Sequence, residues 1–336
     1  MRDDLAESVA QLAAQAPMPA VAVSVFGVDN VLCHGAWGTA NLRTGEPATL
    51  DHHWDLASLT KMLVTLPEIL LLVESSALGL DQRMGDAWET AHGTDIGEAT
   101  IRQVLAYDAG MPASELFYTQ EPTANRIRAA ALATPRNRPI GSGAVYSDIG
   151  AMVCGFMVAD LVGPLDELAL QRSGLRFGVE PGIAVATEDC PWRGRLIKGE
   201  VHDENAFALG GVAGQAGAFG TLAQVTRAVQ RWMAATSIQG TVWAMSVREQ
   251  SSNPDGERFG LGWWLAPTRG LGGPNPGDDA WGCSGFVGNR IWVEPSRGFG
   301  VVVLSNRIHP TRGERGPYNA WCDELLGLVA HAAGTP

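Results

Sequence analysis

The sequence predicts an α/β protein of the α+β kind: one antiparallel sheet flanked by helices, with an all-helical domain inserted. Three observations carry this. Runs rich in β-branched and aromatic residues stand near both ends of the chain. Helical patterns broken by Gly/Pro loops fill the middle, from Leu80 to about Gln250. Amphipathic segments close both termini, ready to cover a sheet face. The corresponding division is a sheet domain from residues 1–78 and 256–336, a mainly helical insertion at 79–255, and an active site in the cleft between them.

Taken in order, Asp4 to Ala14 has helical periodicity, and Val21–Phe26 and Asn30–Trp37 read as a hairpin turning at Gly27-Val28-Asp29. An apolar helix follows Ser58. Ala99–Ala106 is a short helix. Asp148–Val162 is a strongly apolar one with Ser147 as its cap, and Leu222–Ala235 is another, capped near Thr221. Strand character returns at Phe259–Leu265, Asn289–Glu294 and Gly300–Ser305, interrupted by the Gly/Pro-rich loop Gly270–Asp279. Tyr318–Ala332 ends the chain as a helix. No internal repeat is visible.

Composition narrows the function. The 336 residues are 46% hydrophobic and 18% charged, which is a globular balance. The net charge of −12 and the lack of a basic run exclude a nucleic-acid surface. No apolar stretch reaches membrane-spanning length, because Glu68 and Glu74 bound Ile69–Val73. The N-terminus Met1-Arg2-Asp3-Asp4 has no apolar core of a secretory signal, so the expected location is cytoplasmic. Five scattered cysteines without C-x-x-C spacing point away from a disulfide framework or a zinc site. His202-Asp203-Glu204 and His52-His53 read as turn and packing residues, since adjacent side chains do not converge on one ion. Gly210-Gly211-Val212-Ala213-Gly214 lacks the βαβ setting of a dinucleotide fingerprint, so no cofactor is expected.

The chemistry-bearing feature is Ser58-Leu59-Thr60-Lys61. Three residues apart on a helix, Ser58 and Lys61 share a face. A serine hydroxyl becomes a nucleophile when a neighbour takes its proton, and a lysine inside an apolar segment is a candidate for that work. The bland alternative is a capping serine followed by a solvated lysine.

Three further segments decide against the bland reading: Val145-Tyr146-Ser147-Asp148, which opens an apolar helix; the Gly-rich run Leu209 to Gly217; and Gly282-Cys283-Ser284-Gly285-Phe286-Val287-Gly288 before a strand. In this order they resemble the class C β-lactamase-related serine hydrolases, a penicillin-binding-protein-like family with esterases, D-amino-acid peptidases, β-lactamases and transacylases. The resemblance runs from about Val21 to Val329. It implies a β-lactamase/transpeptidase-like fold, with Ser58 as the acylated nucleophile, Lys61 as its proton partner and Tyr146 as the phenol that shuttles the proton. It implies an oxyanion hole made by the backbone N–H groups of Ser58 and Phe286. The substrate surface it implies holds Asp148, Cys283, Ser284, Gly285 and Gln215; Trp264 is a candidate pocket wall.

The departures shape the expected function. Cys283 stands where relatives carry Lys or His, Gln215 where many carry His, Asp148 where many carry Asn, and Ala106-Tyr107-Asp108-Ala109-Gly110 replaces a T-H-T-S-G segment. The acylation residues match, while the cation that reads a β-lactam carboxylate is gone. The expectation is a serine esterase or amidase, or an ATP-independent transacylase of small-molecule biosynthesis. It would act on a small non-β-lactam ester or amide, with an amine acceptor in the transacylase case. The alternatives are a non-catalytic ligand-binding descendant and a true β-lactamase or D-amino-acid peptidase. Asp148 is open between a helix cap and a site group. If ionised in the site it would favour a charged Lys61 and leave Tyr146 the better base. A Cys283 thiol nucleophile would need a histidine partner, which only His202 could supply through the fold.

Overall fold

The computed structural model describes residues 2–121, 123–268 and 271–334. Gly270, the first residue of the expected Gly/Pro loop, lies outside them.

The two ends of the chain meet in one nine-stranded antiparallel sheet. From edge to edge it runs Glu46–Pro47, Val31–Asn41, Ala20–Phe26, Phe299–Ser305, Asn289–Glu294, Trp281–Gly285, Trp264–Leu265, Arg258–Phe259 and Ser251–Ser252. The first and last long strands in sequence are neighbours at its centre, with Val23 opposite Val303. Both faces of that centre are buried, which is why Ala20–Phe26 and Phe299–Ser305 lack a polar side. Strand periodicity splits their side chains. Val21, Val23 and Val25 join Val9, Trp321 and Leu325 of the terminal helices Arg2–Ala13 and Gly316–Ala332. Ala20, Ala22 and Phe26 join the larger core, which includes Trp54, Ile69, Val153 and Val229.

The helices start where their caps stand. Ser147 Oγ accepts from the Gly150 amide ahead of Asp148–Leu161, and Thr100 and Thr221 form capping boxes with Gln103 and Gln224. Among the described residues no single helix is long and apolar enough to cross a membrane.

The local pattern misses two things. The expected Phe259–Leu265 strand is split into Arg258–Phe259 and Trp264–Leu265. Between them, Gly262 leaves the sheet to pair with the helical layer: its amide donates to Leu105 O at 2.8 Å and its carbonyl accepts from the Tyr107 hydroxyl at 3.1 Å. The middle of the chain also carries short strands, with Trp54–Asp55 and Arg176–Phe177 flanking Ala218–Gly220, and Ala186–Cys190 paired with Arg195–Lys198. Strands of two to five residues with distant partners leave too short an alternation to be read from sequence.

Candidate active site

Ser58 follows the short strand Trp54–Asp55 through a tight turn. Ala57 adopts φ 47°, a left-handed conformation that costs a non-glycine residue about 1–3 kcal/mol. The turn is held from within. Buried Asp55 accepts from the Ala57 amide at 2.8 Å through Oδ1 and from the His202 amide at 2.7 Å through Oδ2. Asn289 Nδ2 donates to Asp55 O at 2.8 Å. Burial pushes the Asp55 carboxyl above its ordinary range, against the pull of those amides. The helix expected after Ser58 begins as a wider π-type turn, Lys61–Thr65, and becomes α-helical only at Leu66–Glu74. Such turns are rare and cluster at functional sites.

Lys61 is 3% exposed. Its Nζ lies 2.9 Å from Ser58 Oγ, 3.1 Å from Gln215 O and 2.7 Å from Asp148 Oδ1. Each contact comes from a different element. Gln215 reaches Lys61 because the Gly-rich loop threads between the Lys61 turn and the Asp148–Leu161 helix. A Cβ on Gly155 would sit 2.5 Å from the Gly214 Cα, so this backbone approach excludes any side chain. Asp148 occupies the first turn of its helix and faces Lys61, while Ser147 does the capping.

Tyr146 hydrogen-bonds Ser58, and its ring lies 4.9 Å from Lys61 Nζ. Burial, with the Asp148 charge adding to it, pushes the phenol well above its ordinary range, outweighing the Ser58 bond. The ring is wedged between Tyr107, with centroids 4.9 Å apart, and Trp264, stacked at 5.8 Å. Tyr107 has φ 61° and anchors its hydroxyl on Gly262 O. Sequence reasoning passed over it, although the unusual Ala106–Gly110 segment marked the spot.

The Trp281–Gly285 strand closes the other side. A Cβ on Gly285 would come within 2.9 Å of Leu56 O, so the strand end lies against the Ser58 turn. Phe286 follows, 39% exposed. Neither its amide nor that of Ser58 makes a loop, turn or cap hydrogen bond among the described residues.

Two expected substrate contacts need correction. Cys283 is 3% exposed and packs in the main core, because strand alternation turns its side chain inward; burial raises its thiol far above the ordinary value. Gln215 is 1% exposed, and its Nε2 donates to half-buried Asp203 at 3.3 Å. What it offers the site is its backbone carbonyl. Ser284 stays half-buried and, with Trp264 and Gly285, lines a cavity of about 180 Å³. His202 does not approach Cys283 as a catalytic partner: its Nε2 pairs with Glu188 at 2.6 Å, and its ring stacks on Phe286 at 5.6 Å. A larger cavity, about 470 Å³, opens at the far end of the strand against Trp281 and Val293 and contains none of these groups. Chemistry, not size, marks the site.

The Beta-lactamase family profile matches residues 5–323. The chain is 28% identical to a Bacillus subtilis N-acetylmuramyl-L-alanine amidase over 76% of its own length and 68% of the relative's. It is also 28% identical to a putative D-alanyl-D-alanine carboxypeptidase of Escherichia coli, over 87% and 79%. In fold it is similar to EstCE1, described as a hydrolase with promiscuous acyltransferase activity (TM-score 0.75, 19% identity, 97% and 99% coverage). A penicillin-binding protein homologue of Caulobacter crescentus is equally similar (TM-score 0.75, 18% identity, 98% of both chains). The chain belongs to the Beta-lactamase family, a family of serine hydrolases.

Proposed function

We propose that the protein transfers acyl groups through a covalent Ser58 intermediate, using a small ester or amide that is not a β-lactam. The observation that carries this is the convergence of Lys61 and Tyr146 on one hydroxyl, Ser58 Oγ.

Lys61 Nζ donates to Ser58 Oγ and Gln215 O and forms an ion pair with the Asp148 carboxylate, an environment that suits an ammonium. With Lys61 donating to Ser58 Oγ, the serine proton points to Tyr146. Burial disfavours a free phenolate, so Tyr146 works as a conduit. It takes the Ser58 proton while passing its own to the leaving group. The Ser58 Oγ–carbonyl bond forms, the carbonyl–leaving-group bond breaks, and one proton moves from serine to leaving group. The Ser58 and Phe286 amides stabilise the oxyanion, and the Lys61 charge adds to that field. The second half repeats the path with water, giving an esterase or amidase, or with an amine or alcohol, giving a transacylase. The hydrolase names of the relatives and the acyltransferase activity stated for EstCE1 support the class. Cys283 in place of a strand cation speaks against penicillins.

Intact-mass analysis after p-nitrophenyl acetate or a fluorophosphonate should show one adduct, mapped to Ser58 and absent from Ser58→Ala, and benzylpenicillin should not turn over. A folded wild-type chain that takes up neither reagent would instead be a binding descendant of the family.

A further inference from the structure

Away from Ser58, the cavity of about 470 Å³ is walled by the sheet and by the helices Leu222–Thr236 and Val242–Ser246. Its size is that of a small-molecule site. Met233, Val247, Leu265, Trp281 and Val293 give it an apolar lining. Trp281 pairs across the ladder with Leu265 on one side and Val293 on the other. An aromatic stack backs this wall: Trp263 lies edge-on to Trp281 with centroids 4.6 Å apart, and Trp232 edge-on to Trp263 at 5.1 Å. All three rings are buried, so packing fixes the wall.

One group in that wall is incomplete. Trp281 is fully buried, and its indole N–H has no hydrogen-bond partner. A buried donor left unpaired carries its whole desolvation cost. Trp54 and Trp263 leave theirs unpaired too, but only Trp281 lines this cavity. An acceptor for it arrives with an occupant or not at all. The rim charges, by contrast, are engaged. Arg258 Nε pairs with Glu249 at 2.6 Å, and Arg248 donates to Gln239. Asp279 accepts from the Ser296 amide and hydroxyl at 3.0 and 2.6 Å, while Asp278 is exposed to solvent. Three carboxylates thus stand against two guanidiniums, on a chain of net charge −12, and an anion finds no surplus positive charge here.

We propose that this cavity is a second binding site, separate from the Ser58 cleft, for an uncharged and mainly apolar molecule whose single carbonyl accepts from the Trp281 N–H. The apolar lining supplies affinity by taking hydrocarbon out of water, and the one donor sets orientation. Met233, unbranched and flexible, lets the wall adapt to the ligand's body. None of Ser58, Lys61, Tyr146 and Phe286 lines the cavity, so the site stands whether or not Ser58 is acylated. The two sites share strands all the same: Gly282, next to Trp281, is opposite Trp264 in register, and Trp264 stacks on Tyr146 at 5.8 Å.

Benzophenone, uncharged, apolar and photoreactive through its one carbonyl, is the probe, used on the full chain. Irradiation should label the peptides holding Met233 or Val247, and the labelling should saturate. Acetophenone and ethylbenzene, alike in shape except for the carbonyl, are then compared as competitors. The ratio of their affinities should fall about tenfold in Trp281→Phe, which keeps an aromatic ring and loses the donor. Benzoate should compete at least about tenfold less well than acetophenone, because its charge has no partner in the cavity. Absence of saturable labelling at those peptides leaves the cavity to water only and overturns the proposal. A ratio unchanged in Trp281→Phe, benzoate competing as well as acetophenone, or labelling mapped to the Ser58 or Tyr146 peptides instead also overturns it. If Trp281→Phe does not fold, Val247→Trp, which fills the cavity from its wall, takes its place. Labelling at Met233 should then vanish in folded protein, and labelling that persists rejects the site.

Discussion

Asp148 Oδ1 lies 2.7 Å from Lys61 Nζ, so the lysine that donates to Ser58 Oγ has a carboxylate partner from another helix. Lys61 is almost fully buried while Asp148 is a third exposed. Removing one side of such a pair leaves a charge without its partner. Asp148→Ala should lower stability by about 1–3 kcal/mol, less than for a fully buried pair, and reduce acylation at least tenfold. Asp148→Asn, which keeps a hydrogen-bond acceptor, should lose less of both. Denaturant melts and single-turnover acylation rates check this; wild-type stability and acylation in Asp148→Ala would separate Asp148 from Lys61.

Ser58 and Cys283 should behave oppositely towards electrophiles. Burial keeps the Cys283 thiol protonated and out of solvent, so iodoacetamide should leave it unmodified in folded protein at neutral pH and react after unfolding. Cys283→Ser should retain the Ser58 adduct, whereas Ser58→Ala should abolish it. Peptide mapping distinguishes the two, and an adduct on Cys283 in native protein would revive the thiol nucleophile.

Asp55 joins the Ser58 turn to the His202 loop. Asp55→Ala would leave the buried Ala57 and His202 amides without their acceptors, each worth about 1–3 kcal/mol. The expected result is a lower melting temperature together with a fall in kcat larger than the change in KM. An unchanged kcat in folded variant would confine Asp55 to stability.

Glu188 gives the protein an acid limb. Burial raises its pKa, but the hydrogen bonds from His202 and Arg312 outweigh this and bring it below the ordinary value. A depressed carboxyl stabilises the fold above its unfolded pKa, about 4.3. That contribution disappears as pH falls through the lower folded value. Glu188→Gln should therefore be less stable near neutrality and show a shallower loss of melting temperature below about pH 5. Because His202 stacks on Phe286, the substitution should also slow acylation. Parallel melting curves for both proteins across that range would rule out the coupling.

Much of this protein was legible in the chain itself. The hydrophobic periods gave Asp148–Leu161, Leu222–Thr236 and Asn289–Glu294 within a residue or two, because period and cap are local properties. The order of Ser58, Lys61, Tyr146 and the Gly282–Gly288 segment identified the family because each motif must sit on a particular element. What no local window could hold was decided by packing. Asp148 became a partner of Lys61 and Cys283 turned inward. Gln215 came to serve through its carbonyl, and Tyr107 wedged under Tyr146. Met233 and Trp281, on a helix and a strand far apart in the chain, line one cavity only because the Leu222–Thr236 helix packs against the sheet. A side chain's neighbours along the chain fix its conformation, while its charge environment and exposure are set by segments hundreds of residues away.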